Sequence, residues 1–193
     1  MTALKRCLPA ALTTLRLALG PVALAVAVCG LNRWIFLPLL IAGTLSDIFD
    51  GILARRYGVA TPALRRYDSL TDIIYYLFVL GATVRLCRPV VNQTWWLIAL
   101  ILFSEAMVIA VCQVKFHRFP ATHSILAKIY GLCLLAGLAG LLVFNAGPWI
   151  VAALAAVALA ANSEIIALHL VSREAPVDVK SIFWRKQENN RKT

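Results

Sequence analysis

Four aspartates at helical spacing are the residues of this chain most able to do chemistry. Asp47 and Asp50 lie three apart in one apolar stretch, and Asp68 and Asp72 lie four apart in the next. Residues at these spacings share one face of a helix, so each pair points in one direction. An ionised carboxylate within hydrocarbon costs at least a few kcal/mol unless it is compensated or used. The four acids therefore indicate a functional site.

The ligand chemistry of these aspartates favours a hard divalent cation. Carboxylates without His or Cys beside them in the sequence suit Mg²⁺ or Mn²⁺ better than zinc. Four carboxylates exceed what one Mg²⁺ needs, so we expect two ions that share them. Gly51 and Ala54 lie on the helix face of the first pair, and their small side chains let a ligand approach the backbone. Arg55 adds a planar cation for phosphate oxygens, and together these residues describe a site for a nucleotide diphosphate.

Two alternative roles for the acidic residues stay open. The aspartates would also be satisfied by interhelical salt bridges to Arg16, Arg55 or Arg65. Intramembrane acids can also pass a cation across the bilayer, as in a cation-binding or transport protein. Against transport, the aspartates lie near one membrane surface, and Glu105 is the sole candidate for a continuing path. Glu164, near a helix end, is interpreted as structural.

The composition is that of a membrane protein. The 193 residues are 61% hydrophobic and only 15% charged, whereas soluble domains carry roughly 25% charged residues. Runs of roughly 20 apolar residues, enough to cross about 30 Å of hydrocarbon, can be laid out about six times. We predict an all-α membrane protein, a polytopic bundle of about six transmembrane helices. The expected spans cover residues 8–29, 34–55, 67–86, 94–114, 123–144 and 148–170.

The distribution of positive charge predicts the orientation. The net charge is +10, and lysines and arginines collect at the N-terminus, after the second and fourth spans, and in the tail. Cytoplasmic loops are enriched in these residues, so both termini and the active site are expected on the cytoplasmic side of a cell (inner) membrane. Topology and anionic headgroups explain the charge better than nucleic acid does. We expect a membrane domain over residues 1–171 and a basic cytoplasmic tail over 172–193.

The two acidic pairs are expected at comparable depth. Counted from Arg55, Asp47 lies roughly 12 Å inward, and counted from Arg66, Asp72 lies roughly 9 Å inward at 1.5 Å per residue. The loop between the two spans is short, so the helices should be antiparallel neighbours. The five cysteines form no CxxC pair, and we interpret them as small buried hydrophobic residues. They are Cys7, Cys29, Cys87, Cys112 and Cys133.

The spacing of the acids resembles the signature of the CDP-alcohol phosphotransferases, a family also called CDP-alcohol phosphatidyltransferases. Its pattern, D-x2-D-G-x2-A-R-x8-G-x3-D-x3-D, fits residues 47–72 at seven of eight fixed positions. Leu64 stands where the family has its second glycine. A leucine adds bulk and does not take a positive φ cheaply, which suggests an unusual pocket or weakened activity. Because all four aspartates remain, a working enzyme is favoured. Residues 12–16, LTTLR, with Pro21 also resemble the first helix of phosphatidyl-transferring members.

The resemblance implies a reaction in which an acceptor hydroxyl displaces CMP from a CDP-linked alcohol. It implies an integral-membrane enzyme of phospholipid synthesis that moves a phosphatidyl group from CDP-diacylglycerol to a small polar alcohol, and a homodimer is expected. Asp72 would be the catalytic base. The metal ligands would be Asp47, Asp50, Asp68 and Asp72. The cytidine diphosphate pocket would be lined by Asp47, Asp50, Gly51, Ala54 and Arg55.

The acceptor alcohol is the part that the sequence determines least. Arg118 and Lys128 offer positive charge for an acceptor phosphate, as in members that use glycerol phosphate or inositol phosphate. A lysine inside a span costs stability that a ligand would offset. Alternatively, residues 68–72, DSLTD, resemble the phosphatidylserine synthases of the family, for which the acceptor is serine. We slightly favour the phosphorylated acceptor because of Lys128.

Overall fold

The computed structural model describes residues 3–117 and 124–172, which form helices joined by short links and contain no strand. All six long helices have the length and apolar character needed to cross a membrane, which confirms the predicted fold class. A short 3-10 helix, Arg33–Ile35, precedes the second of them. The long helices are α1 (Ala3–Val28), α2 (Phe36–Arg56), α3 (Pro62–Leu86), α4 (Arg88–Phe116), α5 (Ile125–Leu142) and α6 (Trp149–Val171).

The helix boundaries follow from local capping signals. α3 begins at residue 62 rather than 67 because the Thr61 hydroxyl accepts a hydrogen bond from the Leu64 amide at 3.2 Å, with Pro62 in the first turn. Threonine before the first turn and proline within it are both typical of helix starts. Ser124 caps α5 in the same way, through a hydrogen bond of 3.1 Å. Gly58, in the link between α2 and α3, has a φ of +66°, a conformation that favours glycine.

The chain forms two compact units, and the first contains the predicted site. It comprises Met1–Val91 and Leu138–Ala146, and in it α1 packs against both α2 and α3. α2 and α3 are each packed against α1 and meet one another through side chains such as Tyr75. A Cβ on Gly43 would lie 2.6 Å from the Tyr75 ring carbon Cζ, so only glycine leaves room for that buried tyrosine. The aspartate-bearing halves of α2 and α3 are positioned by this packing.

Hydrogen bonds from Arg33, in the 3-10 helix before α2, and from Cys87 stabilise one end of the first unit. The Arg33 guanidinium donates to the Asn145 side chain and to the Leu86 carbonyl, both at 3.0 Å. The Cys87 thiol donates to the Leu141 carbonyl at 3.2 Å. Burial raises the pKa of this thiol, which favours its protonated form as the hydrogen-bond donor. These contacts hold the end of the unit that lies away from the aspartates on α2.

The second unit contains Asn92–Gly137 and Gly147–Thr193. Within it, the Asn162 side chain of α6 donates to the Ser104 hydroxyl of α4 at 2.9 Å, and both are buried. The Lys115 ammonium donates to the His169 and Leu170 carbonyls at 2.9 and 2.6 Å. A cation suits the C-terminal end of a helix, where carbonyls lack intrahelical partners. The Lys115 ammonium thus stabilises the C-terminal end of α6.

The predicted burial of the cysteines is confirmed only in part, and the predicted tail falls outside the described residues. The cysteine prediction is right for Cys87 and Cys112, which are buried, but wrong for Cys7 and Cys29, which are exposed near the two ends of α1. Cys133 is half-buried. The predicted basic tail lies outside the described residues from position 173 onward, and α6 ends at Val171, beside the expected domain boundary.

Candidate active site

The four predicted aspartates come together in the first unit. α2 carries Asp47 and Asp50, α3 carries Asp68 and Asp72, and α1 contacts both helices. One carboxylate oxygen from each of the first three aspartates lies within 4.8 Å of the other two. The helical spacing predicted that each pair shares a face, and the structure shows that these two faces converge.

The aspartates differ in their exposure, so that Asp50 forms the buried floor of the site and the other three aspartates form its exposed rim. The Asp50 side chain is only 5% exposed, whereas that of Asp47 is 50% exposed. Asp68 and Asp72 fall between, at 34% and 35%. Asp50 therefore depends on protein partners for its compensation, while the other three carboxylates remain reachable by a ligand.

A buried arginine on α1 joins all four carboxylates. Arg16 is 1% exposed. Its Nη1 pairs with Asp47 at 2.8 Å and also with Asp72, and its Nη2 pairs with Asp50 at 2.6 Å and Asp68 at 2.7 Å. Of the three arginines that the sequence offered as partners, Arg16 is the one that pairs with the aspartates in the part of the chain that the structure describes. The predicted salt bridges therefore form with Arg16, on the residues of the predicted site.

Thr13 is a second contribution from α1 that sequence reasoning missed. Its buried hydroxyl lies 3.0 Å from Asp50 Oδ2, the same oxygen that Arg16 binds, and 3.1 Å from the Pro9 carbonyl. Thr14 connects α1 to α3, because its hydroxyl lies 3.0 Å from the Tyr67 hydroxyl. The signal was present in the sequence: Thr13 and Arg16, three apart, share one face of an apolar helix.

The two small residues predicted to line the ligand pocket on α2 differ in their burial. Ala54 is buried, whereas Gly51 is half-buried and has space above it. A Cβ added to Gly51 would meet only the two terminal nitrogens of Arg55, both at 3.9 Å, which is ordinary contact distance. The exposed Arg55 guanidinium therefore lies beside the open glycine. Such an arrangement suits a phosphate group that approaches the helix backbone.

Leu64, at the departure from the family pattern, lies in ordinary helical backbone. It is in the first turn of α3 and donates its amide hydrogen to the Thr61 hydroxyl. Its φ is not among the positive values, which among the described non-glycine residues belong to His117 and Asn145. Leu64 therefore needs no positive φ, and its difference from glycine is the bulk of a half-buried side chain.

The two predicted acceptor residues are not brought to the aspartates by anything that the structure describes. Arg118 lies outside the described residues. Lys128 lies in the second unit, exposed in the first turn of α5, with its amide donating to the Ser124 carbonyl at 3.2 Å. The expected span began at residue 123, but the helix begins at Ile125, so Lys128 is nearer the helix end than predicted.

The donor set of the cluster fits a divalent cation. Two oxygens on one Mg²⁺ lie at most about 4.2 Å apart, because each is bound at about 2.0–2.1 Å. Oxygens within 4.8 Å of one another would therefore need only small side-chain movements to bind one ion. The side chains of Asp47 and Asp68 are partly exposed, so an ion held there would be reachable by a diphosphate, and the buried Asp50 would be its least exposed ligand. The chemistry that follows from such a site is stabilisation of charge on phosphate oxygens.

Comparison with known families identifies the chain. The CDP-alcohol phosphatidyltransferase family model matches residues 6–167, a range that includes Arg16, all four aspartates and most of α6. Comparisons with curated proteins and with solved structures find no match. The family generally uses a divalent metal, in agreement with the carboxylate cluster. The matched range covers most of the sequence, and the chain therefore belongs to the CDP-alcohol phosphatidyltransferase family.

Proposed function

We propose that this protein transfers a phosphatidyl group from CDP-diacylglycerol to a small polar alcohol and releases CMP. Membership of the family supports CDP-alcohol phosphatidyltransferase activity in phospholipid biosynthesis. The observation that carries the proposal is the convergence of carboxylates on membrane-length helices, within 4.8 Å of one another, beside Gly51 and Arg55. A donor with a water-soluble nucleotide and lipid-soluble acyl chains suits a polar cluster on helices that otherwise face lipid.

On the basis of the carboxylate cluster, we propose Mg²⁺ or Mn²⁺ as the cofactor. We propose that two such ions are bound. The proposed ligands are Asp47, Asp50, Asp68 and Asp72. When bound, a divalent cation neutralises charge on the diphosphate and on the leaving group. Asp50 is the fixed ligand in this scheme because its burial and its contact with Thr13 hold its position.

The protein's own residues bind and activate the substrates. The Arg55 guanidinium holds the diphosphate oxygens, and the open surface at Gly51 lets the diphosphate approach the backbone, with Asp47, Asp50 and Ala54 completing the cytidine diphosphate pocket. Asp72 accepts the proton of the acceptor hydroxyl. As the acceptor oxygen bonds to the phosphatidyl phosphorus, the bond from that phosphorus to the CMP oxygen breaks, and CMP leaves with the electron pair.

For the acceptor we favour a phosphorylated alcohol, such as glycerol phosphate or inositol phosphate, bound through Lys128 and Arg118. Lys128 lies in the first turn of α5, where a lone lysine opposes the helix dipole and a phosphate would offset that cost. Serine is the second candidate, because residues 68–72, DSLTD, resemble the form of the motif in phosphatidylserine synthases. We further propose that the active site and both termini face the cytoplasm of the cell (inner) membrane, and that the enzyme is a homodimer.

The direct test is an assay of CMP release by the purified protein in lipid nanodiscs. CDP-diacylglycerol is supplied with glycerol 3-phosphate, inositol phosphate or serine, and the lipid product is identified for each acceptor. We expect one acceptor to give product with Mg²⁺ or Mn²⁺ and excess EDTA to abolish the reaction. Undiminished CMP release in EDTA would remove the metal from the proposal. Sealed vesicles test the transport alternative, which gains support if Mn²⁺ enters them while every acceptor gives no CMP.

A further inference from the structure

The guanidinium of Arg16 lies among the same carboxylates that are proposed to hold the metal. We propose that Arg16 is a built-in counter-cation, which neutralises the aspartate cluster before metal binding and is displaced from it when the metal binds. Arg16 would then compete with the metal and set its affinity. This inference rests on the proposed metal site, and it adds a positioning role for a residue of α1.

The geometry of the ion pairs supports competition. Each terminal nitrogen of Arg16 serves one aspartate of each helix: Nη1 pairs with Asp47 and Asp72, and Nη2 with Asp50 and Asp68. The planar fork therefore connects α2 to α3 through four carboxylates. A metal ion needs these oxygens at about 2.0–2.1 Å, and such an ion cannot share the space between them with a guanidinium. The two cations exclude each other by volume and by charge.

The charge balance explains why a counter-cation is needed. Four carboxylates on α2 and α3 converge and repel one another, and Arg16 contributes one positive charge against four negative ones. The pairing stabilises the metal-free protein but leaves the cluster with excess negative charge, which attracts a divalent cation. Arg16 is also imperfectly satisfied, since its Nε is buried without a hydrogen-bond partner in the part of the chain that the structure describes. Once a divalent cation neutralises the aspartates more completely than Arg16 does, the cluster can therefore release the guanidinium.

The contacts of α1 allow the Arg16 side chain to move away from the aspartates while the helix stays in place. Thr13 contacts Asp50 of α2, and Thr14 contacts Tyr67 of α3, so α1 keeps a bond to each neighbour when Arg16 turns away.

The experiment measures Mn²⁺ affinity, by the paramagnetic resonance of free Mn²⁺, and the melting temperature with Mn²⁺ or with EDTA. Arg16→Gln should lower the melting temperature in EDTA, because it leaves the carboxylates without their counter-cation. It should tighten Mn²⁺ binding by at least about tenfold, since a competing charge at contact distance is removed. The melting-temperature rise on adding Mn²⁺ should therefore exceed that of the wild type.

Three further variants make the result decisive. Arg33→Gln removes an arginine of the same unit that donates to Asn145 and the Leu86 carbonyl, and it should leave Mn²⁺ affinity unchanged. Arg16→Lys replaces the fork by one nitrogen and should bind Mn²⁺ more tightly than the wild type, which also decides the matter if Arg16→Gln does not fold. Wild-type or weaker affinity in a folded Arg16 variant would overturn the inference. If Asp50→Asn binds Mn²⁺ as the wild type does, the proposed metal site itself is wrong.

Discussion

Replacing Thr13 by valine should destabilise the protein more than the same replacement at the neighbouring Thr14. The Thr13 hydroxyl is buried and lies 3.0 Å from an Asp50 carboxylate oxygen. The Thr14 hydroxyl is exposed and lies 3.0 Å from the neutral hydroxyl of Tyr67. Valine keeps the size and the β-branching of threonine, so both variants lose a hydroxyl and little else.

The two contacts differ in strength because only one of them involves a charge. A hydrogen bond to a charged group contributes about 1.5–3 kcal/mol. Neutral hydrogen bonds between membrane helices contribute about 0.6 kcal/mol on average. We therefore expect the free energy of unfolding to fall by about 2 kcal/mol in Thr13→Val and by about 0.5 kcal/mol in Thr14→Val. Asp50 would also lose one of the two donors that hold its Oδ2.

The assay is reversible unfolding in mixed micelles, with increasing SDS and with helicity followed by circular dichroism. Thr13→Ser keeps the hydroxyl and should recover most of the stability that Thr13→Val loses. Equal losses in the two valine variants would show that the carboxylate contact of Thr13 has no special strength. A Thr13→Ser protein as unstable as Thr13→Val would show that the methyl group, rather than the hydrogen bond, carries the effect.

Three further predictions test the base, the acceptor site and the helix packing. Asp72→Asn should slow CMP release by roughly a hundredfold or more, as expected for a general base, and near-normal turnover in the folded variant would exclude that role. Lys128→Gln should raise the KM for a phosphorylated acceptor by roughly ten- to hundredfold and leave that for CDP-diacylglycerol unchanged. An unaffected acceptor KM would favour serine. Gly137→Ala should cost about 1–3 kcal/mol of stability by overpacking, since its Cβ would lie 2.5 Å from Leu154 Cδ1. Gly131→Ala on the same helix, where a Cβ meets nothing within 4 Å, is the control, and equal unfolding free energies would contradict the packing argument.

The six helices were predictable because each one satisfies its backbone hydrogen bonds within itself. In hydrocarbon this requirement is absolute, so a long apolar run specifies a helix without reference to the rest of the chain. The helix-face pairing of the aspartates was predictable for the same local reason, the spacing of three and four residues. The signature over residues 47–72 pointed to the family, which the match over residues 6–167 bears out. The starts of α1, α3 and α4 were less accurate, because these helices begin five or six residues before the apolar spans that hydropathy marks. For α3 the start is set by the Thr61 cap, which acts over a single turn.

The partners of the aspartates were decided only by the tertiary structure. Arg16 is 31 residues from Asp47 and 56 from Asp72 along the chain, and no periodicity shows which helix lies beside which or how each is rotated. The sequence offered Arg16, Arg55 and Arg65 as equal candidates, and the packing of α1 against α2 and α3 selected Arg16. Thr13 was selected in the same way, since its hydroxyl has value only where a carboxylate comes within hydrogen-bond distance. Contacts between helices depend on how their side chains fit at the shared surface, and that fit exists only once the helices are packed.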